Sequence, residues 1–186
     1  MPKPLRVATF ALGLLLAASV APAARAAFPA KVKAGDVELV LNGSGARTKY
    51  LMQMYEAGLY VAQPSSDGAA IVAADAPMAF RIEIISGLVS QEKLVESLNE
   101  GFTSATGGKT EPIRGEIEQF RKCFAAPIAK GDVFNLIYLP PHGVIVLKNG
   151  KRQGAVAGLA FKQALFGIWL GDEPAEEKLK LALLGK

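Results

Sequence analysis

Two rhythms of apolar residues run through this chain, one of period two and one near 3.6. Val37 to Leu41 alternates enough for a strand, set between a Gly35-Asp36 turn and an Asn42-Gly43 turn. Tyr50 to Val61 is a longer run with β-forming residues on both faces, which predicts a central strand covered on each side. Gln63 to Gly68 ends it, and Ser66 or Asp67 can cap a short helix over Ala69 to Ala74. After Pro77, Ala79 to Ile85 alternates Phe80, Ile82 and Ile84 against Arg81 and Glu83, the pattern of a half-buried strand.

The rhythm then becomes helical. Ser90 opens a helix from about Gln91 to Thr103, with Leu94, Leu98 and Phe102 facing a core. Thr106-Gly107-Gly108 stops it. A second helix runs from Pro112 to Ala125, with Ile113, Ile117, Phe120 and Phe124 on one stripe and solvating charges on the other. Three strands follow: Asp132 to Leu139, Val144 to Lys148 and Lys151 to Val156, the last two joined by Asn149-Gly150. Ala160 to Leu170 reads as a helix burying Leu165, Phe166 and Trp169, and Ala175 to Leu184 as a last amphipathic one. Runs of strand separated from runs of helix predict an α+β fold with a largely antiparallel sheet.

The start of the chain departs from both rhythms. Lys3 and Arg6 precede an apolar run from Val7 to Val20, and Ala24-Arg25-Ala26 fits a small-x-small cleavage site. That is the pattern of a secretory signal peptide over residues 1–26, leaving a domain of residues 27–186 in the periplasm or outside the cell. An uncleaved anchor is the alternative, but the run is short for a span of roughly 20 residues. Without residues 1–26 the net charge falls from +4 to +1, with 18 Lys and Arg left against 17 Asp and Glu. Such a balance gives no strong pull toward nucleic acid. No later run is long and apolar enough to cross a bilayer.

Candidate chemistry is sparse. Cys123 is the single cysteine, so no disulfide forms within the chain, and it sits in a helical pattern where a thiol packs as a small apolar group. His142 is the single histidine and falls in a Pro-Pro-His-Gly turn. One of each is too few for a Cys/His zinc site. Gly43-Ser44-Gly45 lacks the Gly-Lys-Ser/Thr ending and following helix of a phosphate loop, so no nucleotide cofactor is expected. The clustered glutamates Glu100, Glu111, Glu116 and Glu118 share no face.

Arg47 is the charge of most interest, because a guanidinium grips a carboxylate in two-pronged fashion. On one continuous strand Arg47, Leu51 and Tyr55 share a face, and Tyr55 could add a hydroxyl to the same ligand. Eight extended residues, however, separate the two by roughly 26 Å. They meet only if the chain turns between Thr48 and Leu51. On spacing alone, a solvated arginine and a core tyrosine is the simpler account.

Four segments carry a resemblance: LNGSGARTKYLMQMYEAGLYV (41–61), the SSDGAAIVAADAPMAFRIEII block, SQEKLVESLNEGF, and NGKRQGAVAGLAFKQALFGIWLGDEPAEEKLKLALLG. In that order they cover nearly all of residues 27–186, and the chain resembles the chalcone isomerase-like family, in particular its secreted bacterial branch. The resemblance implies a large antiparallel sheet with a helical layer on one face and a cleft between them. It also implies one of two activities. Plant members close a chalcone to a flavanone; others bind fatty acids, with an arginine and a tyrosine on the carboxylate. Arg47 looks like the arginine of both groups, and Tyr55 like the fatty-acid binders' tyrosine, where the isomerase has a threonine. Phe161 and Lys162 stand around where a small hydroxyl residue would be expected, which counts against flavanone chemistry.

The expectation is therefore a non-catalytic, exported binder of a fatty acid or similar lipophilic anion, held by Arg47 and Tyr55. The alternative is an isomerase (an intramolecular lyase) using Arg47 to stabilise an enolate or phenolate and Tyr55 as proton donor. A third possibility is a structural protein whose cleft is filled by its own side chains.

Overall fold

A computed structural model describes residues 28–186; the expected signal peptide lies outside the described residues. Seven strands form one antiparallel meander in chain order. They are β1 (Lys31–Ala34), β2 (Val37–Lys49), β3 (Met52–Val61), β4 (Met78–Ile84), β5 (Val133–Leu139), β6 (Gly143–Lys148) and β7 (Lys151–Val156). The helices are α1 (Gly68–Ala73), α2 (Gln91–Ala105), α3 (Arg114–Lys122), α4 (Leu159–Leu170) and α5 (Glu177–Leu183). The architecture is the expected α+β, with most predicted elements in place.

The first hairpin differs from expectation, and the difference positions the site. Asn42-Gly43 is not a turn. β2 runs straight through it to Lys49, with a shift of register between Leu41 and Gly43. The Asn42 side chain accepts from the Ser65 amide at 2.7 Å and donates to the carbonyls of Ser65 (3.0 Å) and Leu183 (2.8 Å). It therefore ties β2 to α5 rather than bending its own backbone. Gly43 and Gly45 serve close approach. A Cβ on Gly43 would meet the Ala182 carbonyl oxygen at 2.2 Å, and one on Gly45 the Ala182 Cβ at 2.8 Å.

The chain turns instead at Tyr50-Leu51. Lys49 pairs with Met52, leaving a two-residue turn with φ of 51° and 63° at its centre. Two positive φ values suit the right-handed twist of the flanking strands. The region normally falls to Gly, Asn or Asp, and costs roughly 1–2 kcal/mol for each larger residue.

One face of the sheet carries the main core. Ala57, Leu59, Phe80, Ile82, Phe134, Leu136 and Val146 pack against the helical layer, where Phe102, Phe120, Phe161 and Phe166 are fully enclosed. Each such side chain contributes about 1.5–3 kcal/mol by leaving water. The other face is closed by the chain's own start. Ala34, Leu39, Tyr60 and Ala79 form a smaller cluster there with Phe28 and Leu139. β1 reaches β5 across it, so the sheet curls, as a twisted meander does. β3 is thus covered on both sides, as its composition predicts. The buried Tyr60 hydroxyl finds no hydrogen-bond partner among the described residues.

Candidate functional site

Arg47 and Tyr55 face each other. They are register partners across β2 and β3, and directly opposed residues of an antiparallel pair project to the same side. The turn at Tyr50-Leu51 supplies the bend that the spacing argument required. The 26 Å separation applied to one strand; the residues lie on two. The next register shift follows at once, since Thr48 pairs with Gln53 and leaves Met54 as the extra residue. The Met54 carbonyl then accepts from the amides of Ile85 and Ser86, which fixes the loop after β4 beside the hairpin.

The side on which they project is that of the helices. Gly43 pairs with Leu59, Gly45 with Ala57 and Arg47 with Tyr55, so the two glycines and the arginine form one row. α5 lies along that row. Its C-terminal end touches Gly43, and the residue before its first turn, Glu176, reaches the other end. Glu176 Oε2 accepts from the Thr48 amide at 2.7 Å and lies 3.4 Å from Arg47 Nη1. Both side chains are less than one-fifth exposed. The arginine of the site therefore already has an internal carboxylate as its partner.

Tyr55 is positioned from the opposite direction. α4 is mostly apolar and is buried without a break from Ala164 to Leu170. Its Trp169 stacks on Phe80 at 4.7 Å between ring centres and donates its indole N–H to the Tyr55 hydroxyl at 2.8 Å. Burial pushes the Tyr55 phenol above its ordinary value, while the Trp169 hydrogen bond and the Arg47 charge oppose the rise. With its pKa raised from an ordinary value near 10, the phenol stays neutral at neutral pH.

Arg47 and Tyr55 line a cleft of ≈ 560 Å³ between the first hairpin, the loop after β4 and α2. Met52, Met54, Val89 and Leu94 give it apolar walls, and Lys49 and Lys93 add cations. The volume falls within the range of small-molecule sites. Beneath Tyr55 and Trp169 lies a second cavity of only ≈ 30 Å³, walled by core residues such as Ile82, Leu98 and Phe134. The cleft is open outside the tyrosine and nearly closed inside it.

The remaining sequence candidates fall elsewhere. Phe161 is core, against Phe102 and Phe120. Lys162 is fully buried, and its ammonium donates to the carbonyls of Ile71 and Val72 at 2.8 Å and of Ala74 at 2.7 Å, capping the end of α1. Burial lowers its pKa to about 8, partly offset by the nearby Asp75. Cys123 is buried against Gly154, with its thiol pKa raised by burial, so it packs as an apolar residue. His142 is exposed in the β5–β6 turn. Glu176 and Trp169 are the residues that sequence reasoning missed as site members. Trp169 carried one signal: it is the single tryptophan, on a helix expected to be buried, and a buried indole N–H seeks an acceptor. Glu176 carried none that is local.

The geometry defines a class: an α+β protein with a cleft of mixed apolar and charged lining in which an arginine and a tyrosine face each other across two strands. The chain belongs to the chalcone isomerase-like family, whose model matches residues 21–185. Among solved structures it is similar to the fatty-acid binding protein AtFAP1 of Arabidopsis thaliana, at 20% identity and a TM-score of 0.67. That match covers 84% of this chain and 90% of the other. The fold is thus the chalcone isomerase-like one. No curated protein matches the chain. Among the described residues, no helix is long and apolar enough to cross a membrane, and no cluster of residues could hold a metal ion.

Proposed function

We propose that this protein binds a fatty acid or a similar lipophilic anion, without catalysis, after export from the cytoplasm. The observation that carries the reading is the pairing of Arg47 with Tyr55 in a cleft that also offers the apolar side chains of Met52, Met54, Val89 and Leu94. The ligand's tail lies along Met52, Met54, Val89 and Leu94. Its head meets the guanidinium and the phenol hydroxyl. The structural likeness to a fatty-acid binding protein supports the same ligand class.

Lipid extraction of protein purified from cells, followed by mass spectrometry, tests this. The expected result is a co-purifying long-chain acid, or saturable uptake of added hexadecanoate. An empty protein that ignores added fatty acids defeats the reading. A chalcone assay followed by absorbance separates the isomerase alternative: turnover that falls in Arg47→Ala would establish it in place of simple binding.

A further inference from the structure

The rim of the cleft is unusual for a protein surface. Six large hydrophobic residues are exposed among the described residues, and four of them gather here. Leu51 is 100% exposed, Tyr50 80%, Leu88 46% and Met52 45%. Tyr50, Met52 and Leu88 border the cleft itself, and Leu51 stands at the hairpin tip between two of them. The tip residues also hold the backbone conformation in which an Asn-Gly pair would sit without strain. Local structure therefore gives no reason for bulky apolar side chains at this turn.

We infer that the rim, with Leu51 at its point, is a docking surface for the headgroup region of an anionic phospholipid bilayer, through which ligand enters and leaves the cleft. The inference rests on the binding reading for its purpose, but on separate residues for its evidence. Charge selects the occupant. Lys49 holds its ammonium 5.6 Å from the Tyr50 ring centre, and Lys93 donates to the Leu88 carbonyl at 3.4 Å. Tyr50 and Leu88 thus each have a cation beside them, the arrangement that suits lipid phosphates above a shallowly inserted side chain. Glu96 and Glu100 also border the cleft, but lie one and two turns further along α2 from Lys93. Area argues in the same direction. Four side chains amount to a few hundred Å², short of the roughly 800 Å² per partner of a specific protein interface. A bilayer needs no such matched surface, only apolar atoms able to enter it.

Sedimentation with vesicles of phosphatidylcholine containing a minority of phosphatidylglycerol tests the inference. The native chain is expected to sediment with the vesicles, Leu51→Phe to retain this, and Leu51→Gly to bind about tenfold or more weakly. Glycine relieves the strain at φ 63°, so Leu51→Gly should melt no lower than the native chain. Equal partitioning of the native and Leu51→Gly proteins overturns the inference, as does a native chain that ignores vesicles. A native dimer that Leu51→Gly converts to monomer also overturns it, assigning the rim to a second copy. Hexadecanoate titrated without vesicles separates the two readings. If it fails to bind while vesicle docking persists, the docking surface stands and the ligand class falls.

Discussion

Glu176→Gln should tighten the binding of a fatty acid while weakening the fold. In the free protein the Glu176 carboxylate sits 3.4 Å from Arg47 Nη1, where a ligand's own carboxylate would be drawn. Two carboxylates sharing one guanidinium at roughly 5 Å repel by about 1–3 kcal/mol, for an effective dielectric constant between those of water and a protein surface. Removing one charge returns that energy to the ligand, about a 5- to 150-fold gain in affinity. Glutamine keeps the oxygen that accepts from the Thr48 amide at 2.7 Å, so α5 keeps its place. The lost ion pair is intermediate between exposed and fully buried ones and should cost about 1–3 kcal/mol of stability. Affinity and stability thus move in opposite directions, which a general loosening of the site would not produce. Calorimetric titration with hexadecanoate and with hexadecanol supplies the measurement. The acid should gain and the alcohol should not. Unchanged or weaker acid binding, or an equal gain for both, would show that Glu176 does not compete for the head group.

Arg47→Ala should weaken hexadecanoate by about 1.5–3 kcal/mol, the worth of a hydrogen bond to a charged group, with hexadecanol little affected in the same titration. Gly43→Ala should destabilise the fold by about 1–3 kcal/mol, because its methyl would meet α5 backbone 2.2 Å away; a melting point within a degree of the native one refutes this. Tyr60→Phe should be neutral or stabilising by up to about 1 kcal/mol in urea denaturation, since it removes a buried hydroxyl without a partner. Lys162, lowered from 10.5 to about 8, binds its proton less readily in the folded chain than in the unfolded one. Stability should therefore rise with pH between about 8 and 10.5, and Lys162→Met should flatten that rise between midpoints measured at the two ends.

Elements with a strong internal rhythm were legible. The stripe Ile113, Ile117, Phe120 and Phe124 is wholly buried, and the Asn149-Gly150 hairpin stands where its dipeptide placed it. The first hairpin was not, for two physical reasons. Asn42-Gly43 has the chemistry of a turn, yet its asparagine bonds to a carbonyl 141 residues away and its glycine makes room for a helix. Tyr50-Leu51 lacks turn chemistry altogether, and nothing local announces two positive φ values at bulky residues. Without a turn signal at Tyr50-Leu51, spacing alone puts Arg47 and Tyr55 on one strand, and only the bend that the fold supplies there opposes them across two. Glu176 entered the site through tertiary packing of α5, which no window on the sequence spans.

The contact between α5 and β2 also has a consequence in time. Thr48 and Glu176 are 128 residues apart in the chain, and Asn42 and Leu183 are 141. Closing so long a loop is slow relative to local structure, and here it joins nearly the two ends of the domain. A ribosome releases the arginine and its glycine row long before it makes the helix that covers them. Until Glu176 and α5 emerge, Arg47 lacks this counter-charge and the row of glycines beside it is uncovered. The Arg47–Glu176 pair therefore forms only once α5 is present, and deleting α5 should leave the cleft open but without its internal carboxylate.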